Sequence, residues 1–475
     1  MRFSDVVRLA KEYLTLGIAA AIILTVLLSV GYFFVYKRLM KGSKKFSKRT
    51  AALTLISICY LFIVFGAVFF SRGSFFSSYS LQPFYSYIEA WNQWSFCGWR
   101  NIILNILMFV PFGFLLPLWH KGLQKAWLTV LCGFLFSLII ELIQLVGSLG
   151  VFEIDDLINN TFGAWLGYGA VMLALMLFHR QKRSAAKLFG YAAPMLVMIL
   201  AFGSIFTVYS MKELGNLRSD YIYKMNMKGV ELTSEVELSR DSNTAGIYQA
   251  AFGDEQAAKA LASSVFSAIG ATMDEDETRA YDESVRYIAY KPDNHEASIH
   301  MWVNYKGLTY RLTDFSQFDD HLVKVKDADE LTIRGALAEL ELELPANISF
   351  SVMEDGSYIF TANMLQVGNQ IWDGVLRCSY YSDGTIKEID NNIVIADYYR
   401  SGEIISEFEA YDRLSAGKFF HHNRQRQTKS ITVRDVSLIY ELDSKGFYQP
   451  VYRFECVFAN EVEKYELTIA ISALK

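Results

Sequence analysis

Asn101 and Asn105, Glu141 and Gln144, and the run Asp155, Asp156, Asn159 and Asn160 have the most scope for chemistry, because they stand inside apolar stretches. An Asp-type residue at the centre of a membrane helix costs roughly 2.5–3.5 kcal/mol on insertion scales. Groups retained at that cost act on a ligand or lock helices together. Asn101 and Asn105 lie i, i+4 and Glu141 and Gln144 lie i, i+3, so each pair shares one helix face. Asp156, Asn160, Gly163 and Gly167 follow i, i+4, i+7, i+11, a single stripe with polar groups at one end and glycines below. A partly desolvated Glu141 suits acid–base work or the binding of a cation or amine. Glu141, Asp155 and Asp156 are therefore the candidate catalytic groups. Asn101, Asn105, Gln144, Asn159, Asn160 and Thr161 form a candidate ligand-binding or structural polar cluster. The competing reading is a helix-locking network, in which such bonds contribute about 0.6 kcal/mol each. No Ser/His or Cys/His pair accompanies these residues, so nucleophilic hydrolysis has no visible machinery. No CxxC, Cys/His cluster or HExxH occurs, and neither a metal nor a cofactor is expected.

Such residues need membrane helices to carry them. The chain has 475 residues, 52% hydrophobic and 15% aromatic, but the polarity is uneven. Residues 1–212 hold 19 Lys and Arg against 7 Asp and Glu; residues 213–475 hold 26 against 43. That asymmetry separates two regions in different surroundings. Basic residues of the first half sit in short loops between apolar runs, which argues against nucleic-acid binding. Six spans are expected, at about 13–36, 51–70, 101–119, 126–147, 156–178 and 188–209, each near the ~20 residues that cross a bilayer. The run GAWLG, from Gly163 to Gly167, is a small-xxx-small pattern that lets span five approach span three or four closely. Pro111 removes one backbone bond of span three beside Gly113, and a kink is expected there.

Lys and Arg cluster in loops 37–50, 120–125 and 179–187, which places these loops in the cytoplasm. The N-terminus and everything after Lys212 then lie outside, and the multi-pass chain sits in the cell membrane. All the polar groups above converge on the outer leaflet, the best internal argument for one shared site. Loop 71–100 is rich in Phe, Tyr and Trp and reads either as an aromatic belt or as a short interfacial helix over the site.

The stretches NIILNILMFVPFGFLLPLW, IIELIQL and EIDDLINNTFGAWLGYG resemble the VanZ family of bacterial membrane proteins. The likeness rests on Asn105, Phe109, Pro111 and Gly113; on Glu141 and Gln144; and on Asp155, Asp156, Asn160, Thr161, Gly163 and Gly167, and covers about 55–178. The family often carries an Arg a few residues before the Asp pair, where this chain reads Gly150. The resemblance implies an integral membrane protein with a cell-envelope role, linked in one member to teicoplanin resistance, and implies no reaction.

After a linker at 213–218, residues 219–475 read as an α+β extracytoplasmic domain, with two sub-modules split near 345. Helices are expected at 254–270 and at 405–417, the second ending at Gly417. Two-residue alternation marks strands through Val436–Leu442, Tyr452–Phe458 and Tyr465–Ile471, with Asp443–Gly446 as a hairpin turn. Asp383-Gly384 joins two further strands. Cys378 and Cys456 face inward as buried thiols or a disulfide, and His421 and His422 belong to a solvated loop. The run over about 370–475 is similar to PepSY-type modules and to extracytoplasmic domains of accessory regulators of a Gram-positive cell-wall histidine kinase. That resemblance implies binding to an envelope protein partner.

The whole is expected to be an all-α six-span membrane bundle carrying an extracytoplasmic domain. Its first functional reading is a non-catalytic envelope protein that senses or regulates wall assembly. The second is a membrane enzyme using Glu141, Asp155 and Asp156 on a lipid-linked wall precursor or a lipidated glycopeptide antibiotic. Ion or proton transport is weaker, because the polar groups lie at one side without a chain across the membrane.

Overall fold

The computed structural model describes residues 47–66, 78–178, 184–219, 225–419 and 428–475, apart from 282, 293 and 320, with isolated positions at 26, 30, 31, 34, 38 and 68. The chain divides into two compact units, Met1–Lys212 and Glu213–Lys475.

The first unit is helical. Its long helices are α1 (Lys48–Phe65), and, after the short strand β1 (Ser78–Ser80) and short helix α2 (Tyr85–Gln93), α3 (Phe96–Trp119) and α4 (Ala126–Val146). Strand β2 (Val151–Glu153) leads directly into α5 (Ile154–Phe178), and α6 (Ala185–Met211) completes the unit. The five long helices have the length and apolar composition needed to cross a membrane. Most of the expected span at 13–36 and most of loop 179–187 lie outside the described residues. Helix α3 continues through both Pro111 and Pro117.

Glycines set how closely α3 and α5 approach. A Cβ at Gly163 would collide with the carbonyl oxygen of Ile106, one at Gly167 with that of Val110, and one at Gly113 with that of Ala164. On α4, a Cβ at Gly133 would strike the side chain of Ala164. The GAWLG run therefore packs backbone to backbone against α3, the geometry small residues permit between membrane helices. Two apolar clusters flank this seam. Tyr60, Val64, Phe109 and Ile140 form one, and Trp99, Ile102, Ile106 and Leu166 belong to the other.

The second unit is mostly β sheet. Strands β3 (Glu231–Ser234) and β4 (Thr244–Ala250) precede α7 (Glu255–Ala268), which leads into β5 (Thr272–Ala280), β6 (Ser284–Lys291), β7 (Asn294–Asn304) and β8 (Tyr310–Asp314). After β9 (Lys324–Val325), α8 (Glu330–Ala338) leads into β10 (Ser349–Val352), β11 (Tyr358–Val367), β12 (Gln370–Tyr381) and β13 (Ile386–Asn391). Strand β14 (Val394–Glu403) and α9 (Glu407–Ser415) lead into β15 (Ser430–Leu442), β16 (Phe447–Ala459) and β17 (Lys464–Ser472). All pairings are antiparallel except β3 with β15, and one 15-stranded sheet results. Each of the three helices begins on a side-chain cap, from Asp254, Asp329 and Ser406. Gly417 stands at φ 73°, where a left-handed residue ends α9.

Three apolar clusters stabilise the sheet, two large cores and a small one of Ala250, Ile371, Val394, Ala396 and Tyr448. Val265 and Phe266 of α7 and Ile333 and Leu337 of α8 pack on Tyr287, Met301, Phe360, Leu376 and Ile389. Ala410 and Leu414 of α9 pack on Ile431, Val433, Phe454, Phe458 and Ile469. Leu340 and Ile348, on either side of residue 345, share the first core. Cys378 and Cys456 belong to different cores and both are free thiols.

Candidate functional site

Strand β1 pairs in parallel with β2, aligning Ser80 with Glu153 and bringing the start of α2 to the start of α5. Phe84 precedes α2 at φ 62° and supplies no side-chain cap. Asp155 supplies it from α5. Its carboxylate accepts the Phe84 N–H at 2.5 Å, the Ser86 N–H at 2.8 Å and the Ser86 hydroxyl at 2.6 Å. A carboxylate at a helix N-terminus satisfies orphan amides and complements the helix dipole. Asp155 does this for α2 while itself lying in the first turn of α5.

The neighbouring residues each reach a different element. The Asn105 amide of α3 donates to Asp156 Oδ1 at 2.5 Å. The Tyr87 hydroxyl of α2 donates to Asn159 Oδ1 at 2.5 Å. Asn160 Nδ2 donates to the Ser137 hydroxyl of α4 at 2.9 Å. Glu141 of α4 accepts the Glu153 N–H at 3.3 Å, and Gln144 donates to the Val68 carbonyl at 3.5 Å. The first two turns of α5 are thus bonded to α2, α3 and α4. Among the described residues, the Asn160 and Gln144 carbonyl oxygens and the Thr161 hydroxyl are buried without hydrogen-bond partners.

A cleft of about 730 Å³ opens beside this network, between α2, α3 and the start of α5. Asn101, Asn105, Asp156 and Asn159 line it, together with Ser86, Glu89, Gln93 and Glu153. Ile63, Leu104, Leu107 and Met108 form an apolar wall. Glu141, Gln144, Asp155, Asn160 and Thr161 do not line the cleft. The sequence-derived cluster therefore separates into residues that face open space and residues bonded inside the helix packing.

Glu89, Gln93 and Glu153 were missed from sequence. Ser86, Glu89 and Gln93 form an i, i+3, i+7 stripe on α2, and Gln93 Nε2 donates to Glu89 at 3.2 Å. The signal was present, but the aromatics of the same segment masked it. Those aromatics hold α2 in place. Trp94 stacks on Tyr209 with ring centroids 3.4 Å apart, and Trp91 and Trp99 meet Tyr209, Phe202 and Phe206 edge-on or tilted. The segment therefore contains a short helix packed against α3 and α6, while Phe75 and Phe76 lie outside the described residues. Among the described residues no group of three or more His, Cys, Asp or Glu is placed to hold a metal ion.

A family match falls on this same region. Residues 50–179 match the family model described as VanZ/LLP1. They form a VanZ-like segment. Over 72 residues the chain is 38% identical to Protein VanZ of Enterococcus faecium, a stretch covering 15% of this chain and 43% of that protein. The chain thus spans less than half the length of that relative. A crystal structure of an uncharacterized protein from Eubacterium rectale aligns at 13% identity with a TM-score of 0.27, covering 51% of this chain and 86% of that one. The VanZ-like segment contains α2 to α5 and all but the first two residues of α1, with the glycines of the helix seam and every polar residue of the cleft. With its five apolar helices, this is a membrane protein that carries a VanZ-like segment.

Proposed function

We propose that this chain is a non-catalytic cell-envelope protein whose VanZ-like unit binds an amphiphile of the envelope. The observation that carries the reading is the two-sided cleft. Acids and amides of α2, α3 and α5 line one side, and Leu104, Leu107 and Met108 line the other. A ligand with a polar head and an apolar tail matches such a lining. The interhelical bonds of Asp155, Asn159 and Asn160 support a binding scaffold, since those groups hold the cleft walls together. In this reading the bundle has six spans. Its cleft opens at the outer leaflet, and residues 219–475 form an extracytoplasmic sensing or regulatory module of PepSY type. Glycopeptides with lipid tails, teicoplanin among them, fall within the ligand class.

Three carboxylates lining one cleft, Glu89, Glu153 and Asp156, favour a second reading: a membrane enzyme acting on a lipid-linked wall precursor. One experiment separates the two. Teicoplanin susceptibility is measured in a Gram-positive host expressing the intact chain, Asp156→Asn or Leu107→Trp, with membrane abundance checked for each. The binding reading expects Leu107→Trp to abolish protection by filling the cleft and Asp156→Asn to weaken it only partly. Complete loss in Asp156→Asn at full abundance favours the enzyme. No protection by the intact chain removes teicoplanin as the ligand.

A further inference from the structure

The cleft lining is acidic in a helical unit that is otherwise basic. Residues 1–212 hold seven Asp and Glu, and three of these, Glu89, Glu153 and Asp156, line the cleft. The same stretch holds 19 Lys and Arg, and none of them is among the described lining residues. Arg100 lies over the Phe96 ring at 5.6 Å and Lys212 over the Trp91 ring at 5.8 Å, and neither lines the cleft. The three acids come from α2, β2 and α5, so the fold gathers them and no local acidic run does.

Side-chain donors beside the cleft are turned to carboxylates. The Ser86 hydroxyl donates to Asp155 at 2.6 Å, the Gln93 amide to Glu89 at 3.2 Å and the Asn105 amide to Asp156 at 2.5 Å. The lining is therefore richer in acceptors than in donors. An anionic head group would meet like charge beside an apolar wall, where water screens charge poorly. An ammonium has three donors and no acceptor, and its bonds to carboxylates are charge-assisted. Among the described residues no three acids are placed to share one metal ion, so the carboxylates are spread around a space of organic size.

We propose that the cleft selects an amphiphile whose head meets it with a primary ammonium rather than a phosphate or carboxylate. The ammonium donates to Glu89 of α2 and Asp156 of α5, and the tail lies along Leu104, Leu107 and Met108. This rests on the proposed function, in which the cleft takes an amphiphile, and adds the charge of the head.

The test uses the full chain in phosphatidylcholine nanodiscs, with binding to empty discs subtracted. Dodecylamine, dodecyl maltoside and dodecyl phosphate share one tail and differ in the head. Dodecylamine is expected to bind about tenfold more tightly than the maltoside, with the phosphate weakest. Glu89→Gln is expected to weaken the amine about tenfold and to leave the maltoside unchanged. Glu275→Gln, on β5 of the other unit, should change neither. The Glu89 carboxylate bonds to Gln93 within its own helix, so Glu89→Gln should keep the parent's melting temperature. If it does not, Asp156→Asn reads the same preference. Equal binding of the three heads, abolished by Leu107→Trp, overturns the ammonium and leaves the amphiphile reading standing. No binding above empty discs removes both. Amine binding that survives Leu107→Trp lies outside the cleft and overturns the proposal, as does an amine affinity indifferent to both Glu89→Gln and Asp156→Asn. Displacement of the amine by calcium, beyond that by sodium at equal ionic strength, assigns the acids to a metal ion and also overturns it.

Discussion

Asp155 and Ser86 join two helices through one carboxylate: the backbone N–H and the hydroxyl of Ser86 both donate to Asp155, at 2.8 and 2.6 Å. Asp156, the next residue, bonds to Asn105 and lines the cleft. Adjacent positions on a helix point about 100° apart, so an acidic pair serves two purposes. Asp155→Ala is expected to free the start of α2 and lower stability by about 0.5–2 kcal/mol, the usual range for a lost cap. Asp156→Asn is expected to leave stability near the parent and change ligand response. Thermal unfolding of the detergent-solubilised chain checks this; equal destabilisation by both variants would remove the division of roles.

The α3–α5 seam has no room for a methyl group. Gly163→Ala places a Cβ against the Ile106 carbonyl, which is backbone and cannot turn aside. Overpacking of this kind costs roughly 1–3 kcal/mol. Gly203→Ala on α6 meets open space and serves as the control. Membrane abundance of Gly163→Ala should fall well below that of Gly203→Ala, and parity between them would show that the seam tolerates separation.

Much of this architecture was legible in the residues themselves. The i, i+4, i+7, i+11 stripe on α5 located the seam, because a helical period needs no tertiary information. Asp254 marked the start of α7 and Gly417 the end of α9, each through local backbone chemistry. Alternation over residues 436–471 gave the three-stranded meander in the right order. Tertiary pairing was not legible. Nothing local distinguishes Asp155, which reaches back about seventy residues to α2, from Asp156, which reaches α3. Glu89 was hidden because Tyr and Trp dominate its segment, and the cleft that uses it exists only once α2 folds beside α3. The parallel pairing of β3 with β15 joins segments nearly two hundred residues apart, beyond any periodicity argument.

The buried thiols give a chemical test of the two cores. Burial pushes Cys378 and Cys456 each up to about 12. At pH 8 the reactive thiolate is then roughly one part in ten thousand, and access is blocked as well. Neither residue should react with a maleimide at pH 8 in the folded chain, and both should react once denaturant is added. Peptide mapping by mass spectrometry reads both positions. Early labelling of Cys456 alone would place the second core at the less stable end of the molecule.

Residues 213–218 were expected to be a linker, and backbone groups of Gly215 and Asn216 within it are hydrogen-bonded. The Gly215 N–H donates to Asp443 at 2.6 Å, and its carbonyl accepts from Gln449 at 3.1 Å. Asn216 exchanges bonds with Ser444 through its own N–H and carbonyl, at 2.8 and 3.0 Å. Glu213 pairs with Arg400 at 2.8 Å, and that bond, with help from Tyr399, holds its carboxyl below the usual range. Asp443 is fully buried and also accepts from the N–H groups of Lys445 and Phe447. Asp443→Ala therefore strands several donors at once, and a buried donor left without an acceptor costs roughly 1–3 kcal/mol. The segment should then detach from the β15–β16 hairpin before the sheet itself unfolds, because neither core contains it. Limited proteolysis is expected to cut the variant between residues 213 and 217 while the parent resists. Glu213→Gln, which loses only an exposed pair, should stay close to the parent. If Asp443→Ala is cut no faster than the parent, the segment is held by the apolar contacts of buried Leu217 and the carboxylate is dispensable.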